Sequence, residues 1–159
     1  MTELKKCFEN LNYMDVKTHL NSGNVIFSCH ETGVADLTNQ IECTIRKQLG
    51  LDIPAFIISQ EELADILRHA PEWWGTENKD IYDNLIFIMP PVSFSEVYCE
   101  IGEPKEGLEQ IKEYKNAVFW SFSRKDYQKT NWWPKTASKN ISKKLTIRTV
   151  NTVRKIVSL

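Results

Sequence analysis

A turn signal between two apolar segments places the strongest constraint on the fold of this 159-residue chain. Residues 18–20 lead into the run Asn21-Ser22-Gly23-Asn24, and Val25-Ile26-Phe27 leads out of it. Asn and Gly accept positive φ angles at low cost, which tight hairpin turns require. The pattern therefore predicts a β-hairpin with strands near 14–20 and 24–29, around which the first half of the chain is arranged.

Apolar periodicity and turn residues assign the remaining elements. A period of 3.6 residues indicates helices, and alternating or continuous apolar runs of four to eight residues indicate strands. Before residue 72 the predicted order is helix 2–11, the hairpin, a loop at 30–33, helix 34–49, strand 53–58 and helix 59–70. After residue 84 it is strand 85–89, helix 94–101, strands 109–114 and 117–123, helix 138–144, strand 145–148 and helix 149–157.

These element orders predict the fold class. The later part reads β-α-β-β-α-β with one extra helix, which is the ferredoxin-like, or split β-α-β, order. The earlier part has the same order without its opening strand. We therefore predict an α+β protein of two ferredoxin-like halves, the first incomplete over residues 1–71, then a linker at 72–83 and the second half over 84–159.

Composition limits the class of protein. Apolar residues make up 42% and charged residues 26% of the chain, which is typical of a soluble globular protein. No apolar run approaches the roughly 20 residues of a membrane helix, so we expect a cytoplasmic protein with no membrane partner. The four cysteines lack the paired spacing of metal sites, so we expect free thiols in a reducing compartment, with no metal and no cofactor.

Charge is distributed unevenly along the chain. Residues 1–123 carry 10 Lys and Arg against 20 Asp and Glu, whereas residues 124–159 carry 10 Lys and Arg against a single Asp. This asymmetry indicates a basic face near the C-terminus, which meets either an anionic partner or the acidic first part of the chain.

The hairpin and the tail Thr146-Ile147-Arg148-Thr149-Val150-Asn151-Thr152-Val153 together resemble a bacterial family of unknown function, numbered 1697. Family tails usually read Thr-x-Arg-Asn-Trp-Asn-Thr-Val, and this chain has Thr149 and Val150 at the two middle places. The resemblance implies two ferredoxin-like halves and no assigned activity. Family members usually begin with an apolar strand and a Gly-rich loop, so the resemblance implies a misassigned start, a natural truncation, or a strand supplied by another chain.

Two polar segments are candidates for ligand binding. In the turn, the backbone N–H groups of Asn21, Ser22, Gly23 and Asn24 point to a clamp for an anion, although any tight turn favours these residue types. In the tail, Arg148 followed by Asn151 and Thr152 at a helix start is suited to a phosphate or carboxylate. The alternative for the tail is a helix N-cap with an Arg salt bridge.

Residues 124–133 mix cations with aromatic side chains, as single-strand nucleic-acid binders do. One class of RNA-binding module is also ferredoxin-like. The aromatic signature of that class is absent, because the neighbours Phe119 and Trp120 point to opposite faces of a strand. Core packing or an inter-domain contact is therefore the favoured interpretation.

The sequence leaves three functions open. A cytosolic binder of a small anionic ligand is favoured, and the alternatives are an enzyme acting on a phosphorylated or carboxylated small molecule, or a nucleic-acid binder using the basic C-terminal part. No residue is assigned a catalytic role, because the three histidines have no metal or triad spacing and the chain has no P-loop or GxGxxG motif. Oligomeric state is not encoded in any pattern we find.

Overall fold

The computed structural model describes residues 1–30 and 33–159. The chain divides into two compact units: unit 1 comprises Met1–Ser59 with Ser158–Leu159, and unit 2 comprises Gln60–Val157. The helix predicted after Ser59 therefore belongs to unit 2, whereas the sequence grouped it with the first half. The predicted loop residues Glu31 and Thr32 lie outside the described residues.

The described residues of unit 1 form two helices and one hairpin. The hairpin strands pair antiparallel, with Thr18 opposite Val25 and His19 opposite Asn24. The rings of Phe8, Tyr13 and Phe27 contact one another at centroid distances between 4.7 and 6.1 Å. The elements are α1 (Thr2–Asn10), β1 (Met14–His19), β2 (Asn24–Ser28) and α2 (Val34–Leu49). The buried core residues are Cys7, Phe8, Tyr13, Val16, Leu37, Ile41 and Ile45.

The strand predicted at 53–58 is wrong, because residues 51–59 belong to no strand. Ala55 and Ile57 nevertheless pack against the core of unit 1. The backbone N–H of Ala55 donates to Oε1 of Glu42 at 2.8 Å, a side chain of α2. The continuous apolar run at 53–58 is therefore a segment that packs against a core but lacks the hydrogen-bonded ladder that defines a strand.

Unit 2 contains a four-stranded antiparallel sheet in the order β4-β5-β3-β6. The chain order around this sheet is β-α-β-β-α-β, with the first and third of these strands at the centre, as the split β-α-β pattern predicts. With the mixed elements of unit 1, this confirms the α+β class. The elements are α3 (Gln60–Arg68), β3 (Ile81–Ile88), α4 (Phe94–Ile101), β4 (Glu109–Tyr114), β5 (Ala117–Ser123), α5 (Trp132–Thr136), β6 (Leu145–Thr149) and α6 (Val150–Val157).

The two faces of this sheet carry different apolar sets. On one face Trp120 packs in a core with α4 and α5, where Trp132 is fully buried. On the other face Phe119 meets the edge of the Trp74 ring at 5.0 Å, which confirms that Phe119 and Trp120 point in opposite directions. Trp74 is buried and its Nε1 donates to the backbone oxygen of Asn84 at 2.8 Å, so the predicted linker at 72–83 is packed into unit 2.

The helix predicted at 138–144 is also wrong, because those residues form turns and the helix lies earlier, at α5. A buried carboxylate on β4 determines where α5 begins. Glu109 accepts the backbone N–H of Asn131 at 2.6 Å, that of Trp132 at 3.2 Å and the Trp120 Nε1–H at 3.1 Å. These bonds satisfy N–H groups at the helix start that have no partner inside the helix.

Candidate functional site

Arg148 lies on β6, an edge strand of the unit 2 sheet, opposite Leu85 of β3. Its side chain is half-buried, and Nη1 donates to Oγ1 of Thr146 at 2.9 Å and to the backbone oxygen of Ile147 at 2.8 Å. Burial lowers the pKa of Arg148 from its ordinary value, because desolvation disfavours the charged form. The strand therefore fixes the guanidinium in place, and a nearby anion would offset part of its desolvation.

The start of α6 follows Arg148 directly. Thr149 caps the helix: its Oγ1 accepts the N–H of Thr152 at 3.4 Å and lies 3.0 Å from the Thr152 hydroxyl oxygen. Thr152 is buried, whereas Asn151 is exposed in the first turn. The N-cap predicted as the alternative interpretation is present, and it directs Thr152 inward and leaves Asn151 accessible beside the helix N-terminus.

In unit 1 the predicted turn residues form the loop between β1 and β2. His19 pairs with Asn24, so the loop comprises residues 20–23 and Leu20 is not part of a strand. Leu20 and Gly23 both have positive φ, at 59° and 79°. Asn24 is buried, and its Nδ2 donates to the backbone oxygen of His19 at 3.0 Å and to Oγ of Ser22 at 2.9 Å. Asn24 thus closes the turn.

The seven predicted site residues are divided between the two units. Unit 2 brings Arg148, Asn151 and Thr152 together at the junction of β6 and α6. Unit 1 holds Asn21, Ser22, Gly23 and Asn24, of which the first three are exposed. The ligand-binding roles of these seven residues stay predictions.

The sequence did not reveal a cluster of ionisable side chains that joins α3 to the turn between β4 and β5. The Asp65 carboxylate accepts from Nζ of Lys115 at 2.7 Å and from Oη of Tyr114 at 3.1 Å. The His69 ring stacks on Tyr114, with centroids 4.2 Å apart and planes 9° apart. Asp65 and His69 share the i, i+4 spacing of one helix face, but nothing local to the sequence connects them with Tyr114 and Lys115.

These contacts change the ionisation of the cluster. The hydrogen bond from Lys115 holds the pKa of Asp65 below its ordinary value, and the same bond raises the pKa of Lys115. Burial, followed by the hydrogen bond to Asp65, raises the pKa of Tyr114. At neutral pH the cluster is therefore a charged Asp65–Lys115 pair with a protonated tyrosine hydroxyl donating to it.

Cysteine thiols and potential metal ligands form no grouped site in the part of the chain that the structure describes. None of the four cysteines forms a disulfide, and burial raises the pKa of Cys7, which disfavours the reactive thiolate. Within residues 1–30 and 33–159, no three His, Cys, Asp or Glu side chains are grouped to hold a metal ion. In the same residues, no helix has the length and apolar character needed to cross a membrane.

A family model described as "Protein of unknown function (DUF1697)" matches residues 1–119. Among solved structures, the conserved bacterial protein SP0830 from Streptococcus pneumoniae resembles this chain with a TM-score of 0.83 at 23% sequence identity. That alignment covers 99% of this chain and 87% of the pneumococcal chain, and it shows a shared fold. No curated protein matches the sequence.

The family match extends over well more than half of the chain. It includes the hairpin and the elements from α1 through β4, and it ends before Arg148. The hairpin on which the sequence resemblance rests is therefore within the matched residues, and the tail is outside them. The chain belongs to the DUF1697 family of proteins of unknown function.

Proposed function

We propose that this protein binds a small anionic ligand, a phosphate or a carboxylate, at the junction of β6 and α6. The observation that carries the proposal is the half-buried guanidinium of Arg148, fixed by Thr146 and Ile147 immediately before the start of a helix. Arginine presents several N–H donors in one plane, which matches the oxygens of phosphate and carboxylate groups.

The start of α6 supports the same ligand class. Helix N-termini carry partial positive charge, which favours an anion within the first turn. Asn151 is exposed there, so its amide donor is accessible to a ligand that also meets Arg148. Thr152 contributes through the capping contact with Thr149 rather than by touching the ligand.

The hairpin loop is proposed as a second anion contact, in unit 1. Asn21, Ser22 and Gly23 are exposed, and consecutive backbone N–H groups in a tight turn form an anion-binding concavity. Asn24 supports this contact indirectly, because its side-chain amide holds Ser22 and His19 in position.

The Arg148 contact is tested by thermal unfolding in the presence of inorganic phosphate and, separately, of a dicarboxylate. A ligand that binds the folded state raises the melting temperature by an amount that grows with the logarithm of its concentration above Kd. We expect Arg148→Gln to abolish this rise and Arg46→Gln to retain it, because Arg46 is an exposed arginine of unit 1 paired with Asp52. If neither anion raises the melting temperature, or if Arg148→Gln responds like the parent protein, the proposed site is wrong.

The hairpin contact is tested by following backbone amide resonances during a phosphate titration. We expect the amides of Ser22 and Gly23 to shift with saturation. Gly107 is the matched control, because it is an exposed glycine with a φ of 77° beside the 79° of Gly23. Equal shifts at Gly23 and Gly107 would indicate a general effect of ionic strength and would exclude the hairpin as an anion contact.

We also propose a cytoplasmic location. None of the four cysteines forms a disulfide, and Cys43 and Cys99 are exposed, which suits a reducing compartment. Fractionation of cells that produce the protein, with both thiols recovered unoxidised in the cytoplasmic fraction, is the expected result.

A further inference from the structure

A strip of aromatic rings reaches the surface of unit 2 next to α5. We define this aromatic strip as Tyr82, Phe122, Tyr127 and Trp133, with the guanidinium of Arg124. Trp133 retains 41% of its surface exposed, although its neighbour Trp132 is fully buried. Its ring meets Tyr127 nearly edge-on at 4.8 Å and Phe122 at 5.5 Å, so it is supported on two sides while part of its surface stays open.

Phe122 connects Trp133 to the rest of the strip. Its ring lies 5.4 Å from Tyr82, and the guanidinium of Arg124 lies over the Tyr82 ring at 4.0 Å. Arg124 is itself exposed, so it offers a second flat surface, cationic and already supported from below. The strip therefore presents two exposed flat surfaces, Trp133 and Arg124, which are joined through the rings of Phe122 and Tyr82, of which Phe122 is buried.

Cations predominate in the segment that carries Arg124, Tyr127 and Trp133. Residues 124–139 carry five Lys and Arg and a single acid, Asp126. Asp126 is occupied by Lys129, whose Nζ lies 2.9 Å from its carboxylate. Lys125 is exposed between Arg124 and Asp126. This segment is therefore suited to a polyanion, and the buried Glu109 opposite Phe122 is already bonded to N–H donors.

We propose that the aromatic strip binds single-stranded nucleic acid, a function distinct from the small-anion site at Arg148. Bases stack on the open surface of Trp133 and on the Arg124 guanidinium, and Lys125 meets the phosphates between them. Flat side chains interleaved with cations match both the π-faces and the charge of an unpaired strand. Core packing explains Trp132, but it does not explain an exposed tryptophan set between two aromatic supports.

Other occupants fit this chemistry less well. Proline-rich peptides also dock on aromatic grooves, but they gain nothing from a cluster of cations. Quaternary ammonium ligands are repelled by the same cations. In a duplex the bases are already stacked on one another, so they cannot use the two flat surfaces without unpairing.

The test is fluorescence anisotropy with labelled oligothymidylate and oligouridylate of about 12 nucleotides, a length within the range of known single-strand sites. We expect saturable binding that weakens between about 20 and 200 mM salt. Trp133→Ala is expected to raise Kd about tenfold, and Trp133→Phe to keep most of the affinity because a ring remains. Lys125→Ala is expected to reduce the slope of log K against log salt by about 0.7.

Lys112→Ala is the matched control. Lys112 is an exposed lysine of β4 that pairs with Phe119, so it lies on the face of the sheet opposite to Trp120 and Phe122. The Lys112→Ala substitution removes the same charge as Lys125→Ala but lies away from the aromatic strip. We therefore expect both Kd and the salt slope to stay unchanged. Far-UV circular dichroism of each variant confirms that the fold is retained.

A preference for either oligonucleotide, or equal binding of both, supports the proposal. It is overturned if neither oligonucleotide binds at about 20 mM salt, where electrostatic binding is strongest. It is also overturned if Trp133→Ala and Trp133→Phe bind alike, or if Lys112→Ala weakens binding as much as Lys125→Ala. Saturable binding of a proline-rich peptide without oligonucleotide binding would likewise assign the strip to another partner.

Discussion

Units 1 and 2 both pack helices on antiparallel strands, but they differ in how much of the sheet is paired. In unit 2 the central strand β3 is hydrogen-bonded to β5 along one side and to β6 along the other. In the described residues of unit 1 the sheet has two strands, β1 and β2, and its register is interrupted between Met14 and Lys17, where Asp15 has a φ of 53°. Backbone pairing therefore contributes much more to unit 2.

This difference assigns the two units different sources of stability. An isolated two-stranded hairpin is marginal in water, so unit 1 depends on side-chain packing between its rings and the two helices. Unit 2 adds a ladder of four strands to a core on each face of its sheet. We therefore expect the amides of unit 1 to exchange with solvent through openings of lower free energy than those of β3 and β5.

The largest expected effect is the loss of the ring that anchors α5 to the sheet of unit 2. Trp132 is fully buried, and its Nε1 donates to the backbone oxygen of Gly102 at 3.1 Å. Trp132→Ala leaves a cavity and should cost about 3–5 kcal/mol of unfolding free energy, measured by urea denaturation. The control Trp133→Ala should cost far less, because that ring is partly exposed. Equal losses would mean that Trp132 does not hold the core of unit 2.

Elements fixed by nearby residues were predicted from the sequence with correct boundaries. Helix α2 matches its predicted span, because its apolar stripe is local and Gly50 takes the left-handed conformation directly after it, at a φ of 67°. Strands β4 and β5 also match, since the turn between them is short. The capping box that begins α4 is likewise local, with Ser93 and Glu96 bonding each other's backbone N–H.

Elements fixed by distant residues were not predicted. The start of α5 depends on Glu109, which is 22 residues before Asn131 in the chain. The packing of Trp74 depends on Phe119 of β5, so a segment that looked like a linker is part of a core. In the candidate site, the turn and the N-cap were predictable from local preferences, whereas the burial of Asn24 and Thr152 follows from packing that no local pattern encodes.

The next prediction compares the substitution of matched isoleucines in the two units. Ile41 lies in the core of unit 1 and Ile86 in that of unit 2, and both are almost fully buried. Each change to Ala should cost about 2–5 kcal/mol. All five tryptophans belong to unit 2, so their fluorescence reports on that unit alone, whereas far-UV circular dichroism reports on both units.

Because unit 1 depends on packing rather than on strand pairing, Ile41→Ala should lose far-UV signal at a lower urea concentration than tryptophan fluorescence. Ile86→Ala should lower the urea concentration at which both signals are lost, and the fluorescence should be lost first. Superimposable curves in both variants would mean that the chain unfolds as one cooperative unit, and the contrast between the two sources of stability would then have no thermodynamic consequence.

The smallest expected effect is a difference in melting temperature between substitutions in two ion pairs, one in each unit. Asp65 of unit 2 accepts from Lys115 and keeps 23% of its side chain exposed, whereas Asp52 of unit 1 accepts from Arg46 with 81% exposed. Exposed pairs contribute little because water screens them, so Asp65→Asn should lower the melting temperature more than Asp52→Asn at neutral pH. Equal effects would mean that the tyrosine and lysine contacts add nothing to Asp65.

The pH dependence of this difference has a definite sign. The hydrogen bond from Lys115 lowers the pKa of Asp65 in the folded state. Its contribution is therefore fully present above the ordinary carboxyl pKa of about 4, and it is lost as the pH falls through the lower pKa of the folded protein. The gap in melting temperature between the parent protein and Asp65→Asn should be constant near neutral pH and close under acid. A gap that widens under acid would require the Asp65 pKa to be raised rather than lowered, which contradicts the geometry of its bonds with Lys115 and Tyr114.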